Sequence, residues 1–168
     1  MSFITVKADE LQENFFHAIG NQWMLITAGS EAGYNTMTAS WGGVGVLWNK
    51  DVSFSFVRES RYTMEFLDRE EYYTLSFFGD SMRKELAFCG ANSGRDVDKA
   101  KVTGLIPCFD EKAPYFEQAE LVLVCRKLYK QKMTADCFVD RSIINSAYAN
   151  GDWHQVFVGE IVKAIRKA

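Results

Sequence analysis

The segment 35-NTMTASWGG-43 has the pattern of a β-strand that ends in a flexible turn, and it is the most informative stretch for predicting the fold. Side chains alternate between the two faces of a strand, so Thr36, Thr38 and Ser40 share one face. Three hydroxyls are unusual on a core face, because each buried hydroxyl needs a hydrogen-bond partner. The face therefore indicates either contact with a polar, flat ligand or exposure on an edge strand. The glycines of residues 42–45 allow a backbone bend or the close approach of a ligand.

Short strands are predicted on both sides of this segment. Residues 23–28 form an apolar run, and the short connection 29–33 predicts a hairpin with the strand at 34–41. In residues 52–56 apolar side chains alternate with serine, which is the period of a half-buried strand. Further strands are predicted at residues 72–78, 119–128 and 153–165.

Helical patterns are few and short. They lie at residues 9–20, 62–68, 81–89 and 96–104. We expect Asp80 to cap the third helix, and Ser93 with Asp96 to form a capping box at the start of the fourth. About six strands with antiparallel-style alternation and few helices favour a mainly β fold with short helices. We expect a small barrel and not a doubly wound sheet.

Length and composition limit the possible functions. The chain has 168 residues, which suits a single domain over residues 1–168. Its net charge of −3 argues against a general nucleic-acid binder, which needs a basic surface, but leaves room for one basic pocket. No apolar run reaches the length of a membrane span, and residues 1–13 lack the pattern of a signal peptide. We therefore expect a cytoplasmic protein that does not enter a membrane.

Several familiar chemical motifs are missing. The four cysteines are widely spaced, which indicates reduced thiols and again suits the cytoplasm. The two histidines, His17 and His154, do not cluster with the cysteines, so no metal site is expected. Residues 43–48 begin like the dinucleotide fingerprint but end in tryptophan, and no amphipathic helix follows them. The pattern therefore argues against a separate dinucleotide-binding domain.

The segment 58-RESRYT-63 has the composition of a phosphate site. It follows a strand and opens a short helix, so two arginines, two hydroxyls and free backbone N–H groups converge there. The alternative is a capped helix with solvated arginines. Residues 93–99 open another helix, and Lys99 in its first turn can also meet an anion.

Taken in order, five segments resemble one family: WMLITAG at 23–29, NTMTASWGG at 35–43, RESRYT at 58–63, SGRDVDK at 93–99 and HQVFVGEI at 154–161. They are similar to the flavin reductase-like proteins of the FMN-binding split-barrel fold, and most similar to the flavoredoxin type. The resemblance covers nearly the whole chain. It implies a six-stranded Greek-key split barrel and a homodimer with FMN near the subunit interface. It also implies hydride transfer from NADH or NADPH to the flavin, with electrons passing on to a partner protein or to free flavin.

The resemblance also implies which residues bind the cofactor. The flavin ring and ribityl chain would lie along Asn35, Thr36, Met37, Thr38, Ala39, Ser40 and Trp41, with Thr38 near flavin N5 or O4. The phosphate would be held by Arg58, Ser60, Arg61, Tyr62 and Thr63. The pocket would be completed by Ser93, Gly94, Asp96 and Lys99. Glu59 stands where the family often has proline, and a carboxylate beside a phosphate is unfavourable unless it points outward.

The role of His154 stays open between two readings. By resemblance it lies near the flavin or the nicotinamide and helps to position the reductant, which makes it the candidate catalytic residue. Otherwise it is a buried, hydrogen-bonded histidine on a strand. No general base is required, because the flavin itself accepts the hydride and the protein positions the flavin.

Three functions remain in competition. The first is an NAD(P)H-dependent flavin reductase or flavoredoxin-like electron carrier. The second is an FMN-binding module without nicotinamide turnover, which serves as a storage, sensing or electron-carrier protein. The third is a split-barrel oxidase acting on a pyridoxine-type phosphate, a branch that residues 35–41 fit poorly. The choice between NADH and NADPH and the final electron acceptor stay open.

Overall fold

A computed structural model describes residues 2–168 and contains ten strands and five α-helices within them. The strands are β1 Phe3–Val6, β2 Met24–Ser30, β3 Gly33–Ala39, β4 Gly42–Leu47, β5 Lys50–Arg58, β6 Tyr72–Phe77, β7 Pro107–Cys108, β8 Tyr115–Phe116, β9 Leu121–Lys132 and β10 His154–Lys167. The helices are α1 Phe15–His17, α2 Thr63–Arg69, α3 Arg83–Ala91, α4 Lys99–Thr103 and α5 Ser142–Ala147. Short 3-10 turns lie at Ala8–Glu10 and Ala135–Cys137, and a π-helical turn lies at Ala18–Gln22.

Eight of the strands form one antiparallel sheet in the order β3-β2-β6-β9-β10-β5-β4, with β1 paired to β10. The two edge strands, β3 and β4, are consecutive in the chain and only Ser40 and Trp41 lie between them. So short a connection spans about 11 Å at most, so the two edges of the sheet must meet at this corner. The sheet therefore curls into a barrel that is joined at one corner and open elsewhere. This is the split barrel that the resemblance implied, and the mainly β class is confirmed.

The strand count differs from the expected six. The sheet gains β4, because the glycine-rich run after Trp41 pairs with β5 and does not simply bend. Trp48 and Asn49, with φ angles of 53° and 58°, form the turn of that hairpin. Two consecutive left-handed residues are typical of the tight turn that suits strand twist. β1 and the short β7–β8 hairpin account for the remaining additions.

The predicted hairpin of β2 and β3 is confirmed, with Thr27 opposite Thr36. The first predicted helix is wrong over its N-terminal half. The chain from Leu11 to Asn14 is not helical, and α1 begins at Phe15 because the Asn14 side chain accepts a hydrogen bond from the His17 N–H at 3.2 Å. An asparagine side chain that satisfies a free N–H group is a strong helix start.

The expected caps of the two later helices are also wrong. α3 is preceded by Met82 and not by Asp80. α4 starts after Asp98, whose carboxylate accepts from the Lys101 N–H at 3.1 Å. Ser93 accepts from the Arg95 N–H instead, so residues 93–98 form an irregular loop in front of α4. This loop brings Ser93 towards the barrel.

Both faces of β2 are buried, because two apolar clusters meet there. One cluster contains Met24 and Ile26 and joins the barrel strands to α2. The other contains Leu25 and Leu86 and joins the sheet to α3, α4 and the β7–β8 hairpin. The second cluster holds α3 and α4 beside β3, so the loop between these helices lies next to the edge of the barrel. Within residues 2–168, no helix combines the length and apolar character needed to cross a membrane.

Candidate functional site

Two adjoining cavities lie along β3, and both are lined by Met37, Arg58 and Arg61. The cationic cavity has a volume of about 230 Å³ and is lined in addition by Asn35, Ser60, Tyr62, Thr63, Ala91, Asn92, Ser93, Gly94, Lys99 and Asp152. The aromatic cavity has a volume of about 150 Å³ and is lined in addition by Thr38, Ala39, Ser40, Trp41, Phe56 and His154. The shared residues make the two cavities one groove, with Lys99 and the residues of 60–63 at one end and the rings of Trp41, Phe56 and His154 at the other.

The structure brings most of the predicted site residues together in this groove. Thr36 and Asp96 are the two exceptions, because they line a third cavity of about 400 Å³ beside α4. Asn35, Gly94 and Lys99 line both the third cavity and the cationic cavity, so they separate the two. A Cβ atom on Gly94 would overlap the side-chain oxygen of Asn35, so this close approach requires glycine.

The hydroxyls of β3 have partners within the protein. The Thr36 Oγ1 is 2.8 Å from the Thr27 Oγ1, and the Thr38 hydroxyl donates to the Leu86 carbonyl oxygen at 2.5 Å. We predicted that this face contacts a ligand or is exposed to solvent, and neither prediction included the helix α3 that packs against it. Met37, from the opposite face of the strand, is the residue of β3 that lines both cavities.

Two predicted phosphate ligands bind the connection between β9 and β10, residues 133–153, which we call the strap. Arg58 donates from one terminal nitrogen to the Asp152 carbonyl oxygen at 2.6 Å and from the other to the Ala147 carbonyl oxygen at 3.0 Å. The Ser60 N–H and hydroxyl donate to the Asp152 carboxylate at 3.2 and 2.6 Å. An aspartate of the strap therefore already occupies donors that the sequence assigned to a phosphate.

Arg61 and Lys99 supply positive charge that faces the cationic cavity. Arg61 donates from one nitrogen to the Gly90 carbonyl oxygen at 2.7 Å, which uses one of its five N–H donors. The Lys99 ammonium is buried and donates to the Thr36 and Cys89 carbonyl oxygens, both at 2.7 Å. Burial lowers the pKa of Lys99 to about 8, and the positive charge of Arg61 adds to that effect. Two cations in one cleft favour an anionic ligand group.

Glu59 points away from the groove. Its carboxylate accepts from the Lys132 ammonium at 2.8 Å and from the Gln155 amide at 2.7 Å, both on the neighbouring strands β9 and β10. The hydrogen bond from Lys132 lowers the pKa of this carboxyl group. The repulsion that a glutamate next to a phosphate site would cause is therefore avoided.

His154 lies at the aromatic end and is buried. Its Nδ1 is 2.7 Å from the Tyr148 hydroxyl, and its ring centroid is 5.3 Å from that of Trp41. Burial lowers the pKa of His154 to about 4, and the charge of Arg58 contributes in the same direction. The imidazole is therefore neutral at pH 7, which suits contact with an uncharged ring.

Sequence reasoning missed four residues that line the groove, Phe56, Ala91, Asn92 and Asp152, and it also missed Tyr148, which contacts His154. Phe56 lies on a strand whose alternation was recognised, so its place opposite Val156 on β10 could have suggested it. The strap carried no motif that pointed to the site. Within residues 2–168, no three His, Cys, Asp or Glu side chains are grouped so as to hold a metal ion.

A comparison with protein families shows that residues 16–167 match the flavin reductase like domain. The chain belongs to the flavin reductase-like family. The family that the sequence suggested is thereby confirmed. No curated protein matches the chain.

Several solved structures share its fold. A flavoredoxin from Methanosarcina acetivorans is 24% identical with a TM-score of 0.67, and the match covers 87% of this chain and 68% of that one. The FMN-binding domain of a flavin reductases-like enzyme from Shewanella baltica is 14% identical with a TM-score of 0.70, covering 98% and 77%. An NADH:FAD oxidoreductase from Streptomyces globisporus is 17% identical with a TM-score of 0.65, covering 87% and 75%.

Proposed function

We propose that this flavin reductase-like protein binds FMN in the groove along β3 and transfers hydride from NADH or NADPH to it. The observation that carries the proposal is the groove itself: Met37, Arg58 and Arg61 line both cavities, Lys99 adds a third cation at one end, and Trp41, Phe56 and His154 lie at the other. FMN has a matching arrangement, with a charged phosphate at one end and a planar ring at the other. The oxidoreductase from Streptomyces globisporus, which shares the fold, is named for the corresponding reaction with FAD.

The residues of the cationic cavity fit the phosphate of FMN. Arg61 has unused donors, and a phosphate accepts the planar fork of a guanidinium well. Lys99 adds a second positive charge, and the loop containing Ser93 and Gly94 closes the cavity from the side of α3. Arg58 contributes through its charge, since two of its nitrogens already donate to the strap.

The residues of the aromatic cavity fit a planar ring. Met37, Phe56 and Trp41 offer apolar surface, and the neutral His154 adds a polar group that needs no counter-ion. When bound there, FMN supplies the hydride acceptor that the protein itself lacks. The side chains bind, orient and shield the reactants. The chain lacks a dinucleotide fingerprint, so the reduced nicotinamide would bind transiently against the same groove.

Absorbance titration with FMN, followed by anaerobic stopped-flow mixing with NADH and with NADPH, tests the proposal. We expect saturable FMN binding and bleaching of the flavin absorbance by at least one nucleotide. A protein that ignores added FMN would overturn the proposal. FMN binding without bleaching by either nucleotide would instead identify a binding module without turnover.

We further propose that the protein is a homodimer with the groove near the subunit interface. β4 is an edge strand, and large apolar side chains on and around it are exposed: Val46 to 72%, Trp48 to 55% and Trp41 to 52%. Such a patch at an open sheet edge suits burial against a second copy. Sedimentation of the FMN-loaded protein should show about twice 19.1 kDa, whereas a stable monomer that still binds FMN would contradict the dimer.

We also propose a cytoplasmic location. The four cysteines, Cys89, Cys108, Cys125 and Cys137, are all free thiols, and two of them are buried. Reduced thiols persist in the cytoplasm and are oxidised in secretory compartments. Fractionation of the source cells, with detection of the protein by antibody, tests this location.

A further inference from the structure

Tyr148, in the strap, is held against His154 from several sides. It follows helix α5, and only 6% of its surface is exposed. Its ring stacks on Trp153 with centroids 4.8 Å apart, and it meets the His154 ring edge-on at 5.5 Å. The Arg58 guanidinium lies 5.3 Å from the ring centroid. The hydroxyl group therefore has little freedom to leave the histidine.

The direction of the hydrogen bond follows from the available acceptors. The Tyr148 hydroxyl is 2.7 Å from His154 Nδ1 and 3.7 Å from the Met133 sulfur. An unprotonated imidazole nitrogen accepts a proton far better than a thioether sulfur does. Donation from the hydroxyl to Nδ1 is therefore the stronger of the two arrangements, because the alternative, with the proton on Nδ1, leaves the hydroxyl to donate to the thioether sulfur.

The tautomer of His154 follows in turn. A neutral imidazole carries one ring proton, so an acceptor at Nδ1 places the proton on Nε2. A second ring proton is disfavoured by burial and by the charges of Arg58 and Arg61, although Asp152 favours it. The histidine therefore offers one N–H donor at the end of the ring away from Tyr148.

We propose that Tyr148 is a positioning residue that fixes His154 as the Nε2–H tautomer and thereby presents an N–H donor to the ligand of the aromatic cavity. His154 lines that cavity together with Trp41 and Ser40. A donor held in place before the reaction stabilises negative charge that a hydride brings to the acceptor, without reorganisation. The part that concerns the flavin rests on the proposed function, whereas the tautomer does not.

Nitrogen-15 NMR of the whole protein tests the tautomer directly, because the chain has only two histidines, His17 and His154. In the wild type we expect the His154 signals of a protonated Nε2 and an unprotonated Nδ1. In Tyr148→Phe, which keeps the ring, we expect a mixture of tautomers. The exposed His17 serves as the internal reference in both samples. A wild-type His154 with its proton on Nδ1, or an unchanged tautomer in Tyr148→Phe, would overturn the proposal.

Two control variants separate the hydrogen bond from packing of the strap. Phe138→Leu removes a ring that lies 5.6 Å from Tyr148, and Met133→Leu removes the competing acceptor. Both should leave the tautomer of His154 as it is in the wild type. If Tyr148→Phe does not fold, the wild-type spectrum and the Met133→Leu spectrum still decide the direction of the hydrogen bond.

Kinetics of the FMN-loaded protein test the second part. We expect Tyr148→Phe to lower kcat about tenfold, the effect of one lost hydrogen bond, and to leave the Kd for FMN unchanged. An unchanged kcat together with a changed tautomer would remove the catalytic part of the proposal. If the wild type shows no hydride transfer, the proposed function fails while the NMR result stands.

Discussion

The two ends of the groove each include one continuous segment, but the two segments are used differently. The cationic cavity takes five of its thirteen residues from 58–63 and five more from 91–99. The aromatic cavity takes five of its nine residues from 37–41, and it is completed by Phe56, Arg58, Arg61 and His154, the last more than 100 residues after Trp41. Each end is therefore partly visible in the sequence as a motif, and each is completed only when the barrel has closed.

The difference shows that a compact motif can serve two purposes. Within residues 58–63, Arg58 and Ser60 anchor the strap through Asp152, whereas Arg61 faces the cavity with free donors. At the aromatic end, His154 is held in position by its hydrogen bond with Tyr148. Variants that affect FMN and riboflavin differently test this division, because riboflavin lacks the phosphate.

The largest effect is expected for Arg61→Ala. The loss of a charge-assisted, partly buried contact should weaken FMN binding about 100-fold and change riboflavin binding little. Fluorescence titration with both flavins measures the two constants. Arg69→Ala, which removes an exposed arginine paired with Glu70, is the matched control and should change neither. Equal weakening for both flavins would show that Arg61, which lines both cavities, acts on the part that the two flavins share and not on the phosphate.

The second effect is a pH dependence caused by Lys99. Its pKa is lowered to about 8, so the ammonium loses its proton as the pH rises through that value. A neutral Lys99 attracts the phosphate less, so FMN affinity should fall about tenfold between about pH 7 and about pH 9.5. Titrations across this range should show no such step in Lys99→Met or with riboflavin. A step of the same size in Lys99→Met would assign the titration to another group.

The third effect is a gain in affinity. Asp152→Asn removes a negative charge from the cationic cavity while its side-chain oxygen can still accept from Ser60. FMN binding should tighten about fivefold, and riboflavin binding should stay the same. Asp140→Asn, in the same strap but hydrogen-bonded to Ser142, is the control and should behave as the wild type. Weaker FMN binding in Asp152→Asn would show that the carboxylate supports the site.

The smallest effect is expected at the aromatic end. Trp41→Leu removes one flat surface from the cavity and should weaken FMN and riboflavin about equally, by about fivefold. The ratio of the two constants serves as the internal control. A change for FMN alone would mean that Trp41 acts on the phosphate and would break the division into two ends.

Local patterns predicted a good part of this fold. The β2–β3 hairpin and the strand β5 depend on neighbours a few residues apart, and both are confirmed. The burial along β5 does not follow the apolar alternation, because Ser53 and Ser55 are buried whereas Phe54 and Phe56 are half-buried. The start of α1 was missed because the single side chain of Asn14 outweighed an amphipathic pattern over residues 9–20. β4 was missed because a glycine-rich run has weak strand propensity until a partner strand pairs with it.

In the candidate site, too, some features are local properties of the sequence and others depend on the tertiary structure. The sequence alone determined that residues 58–63 concentrate cations and hydroxyls, because composition and order are local properties. Only the tertiary structure decided which of these donors stay free, because Asp152, more than 90 residues along the chain, binds Ser60 and Arg58. The neutrality of His154 likewise depends on burial beside Arg58 and Tyr148. Charge and hydrogen-bond availability depend on distant neighbours, which the closed barrel and its strap bring together.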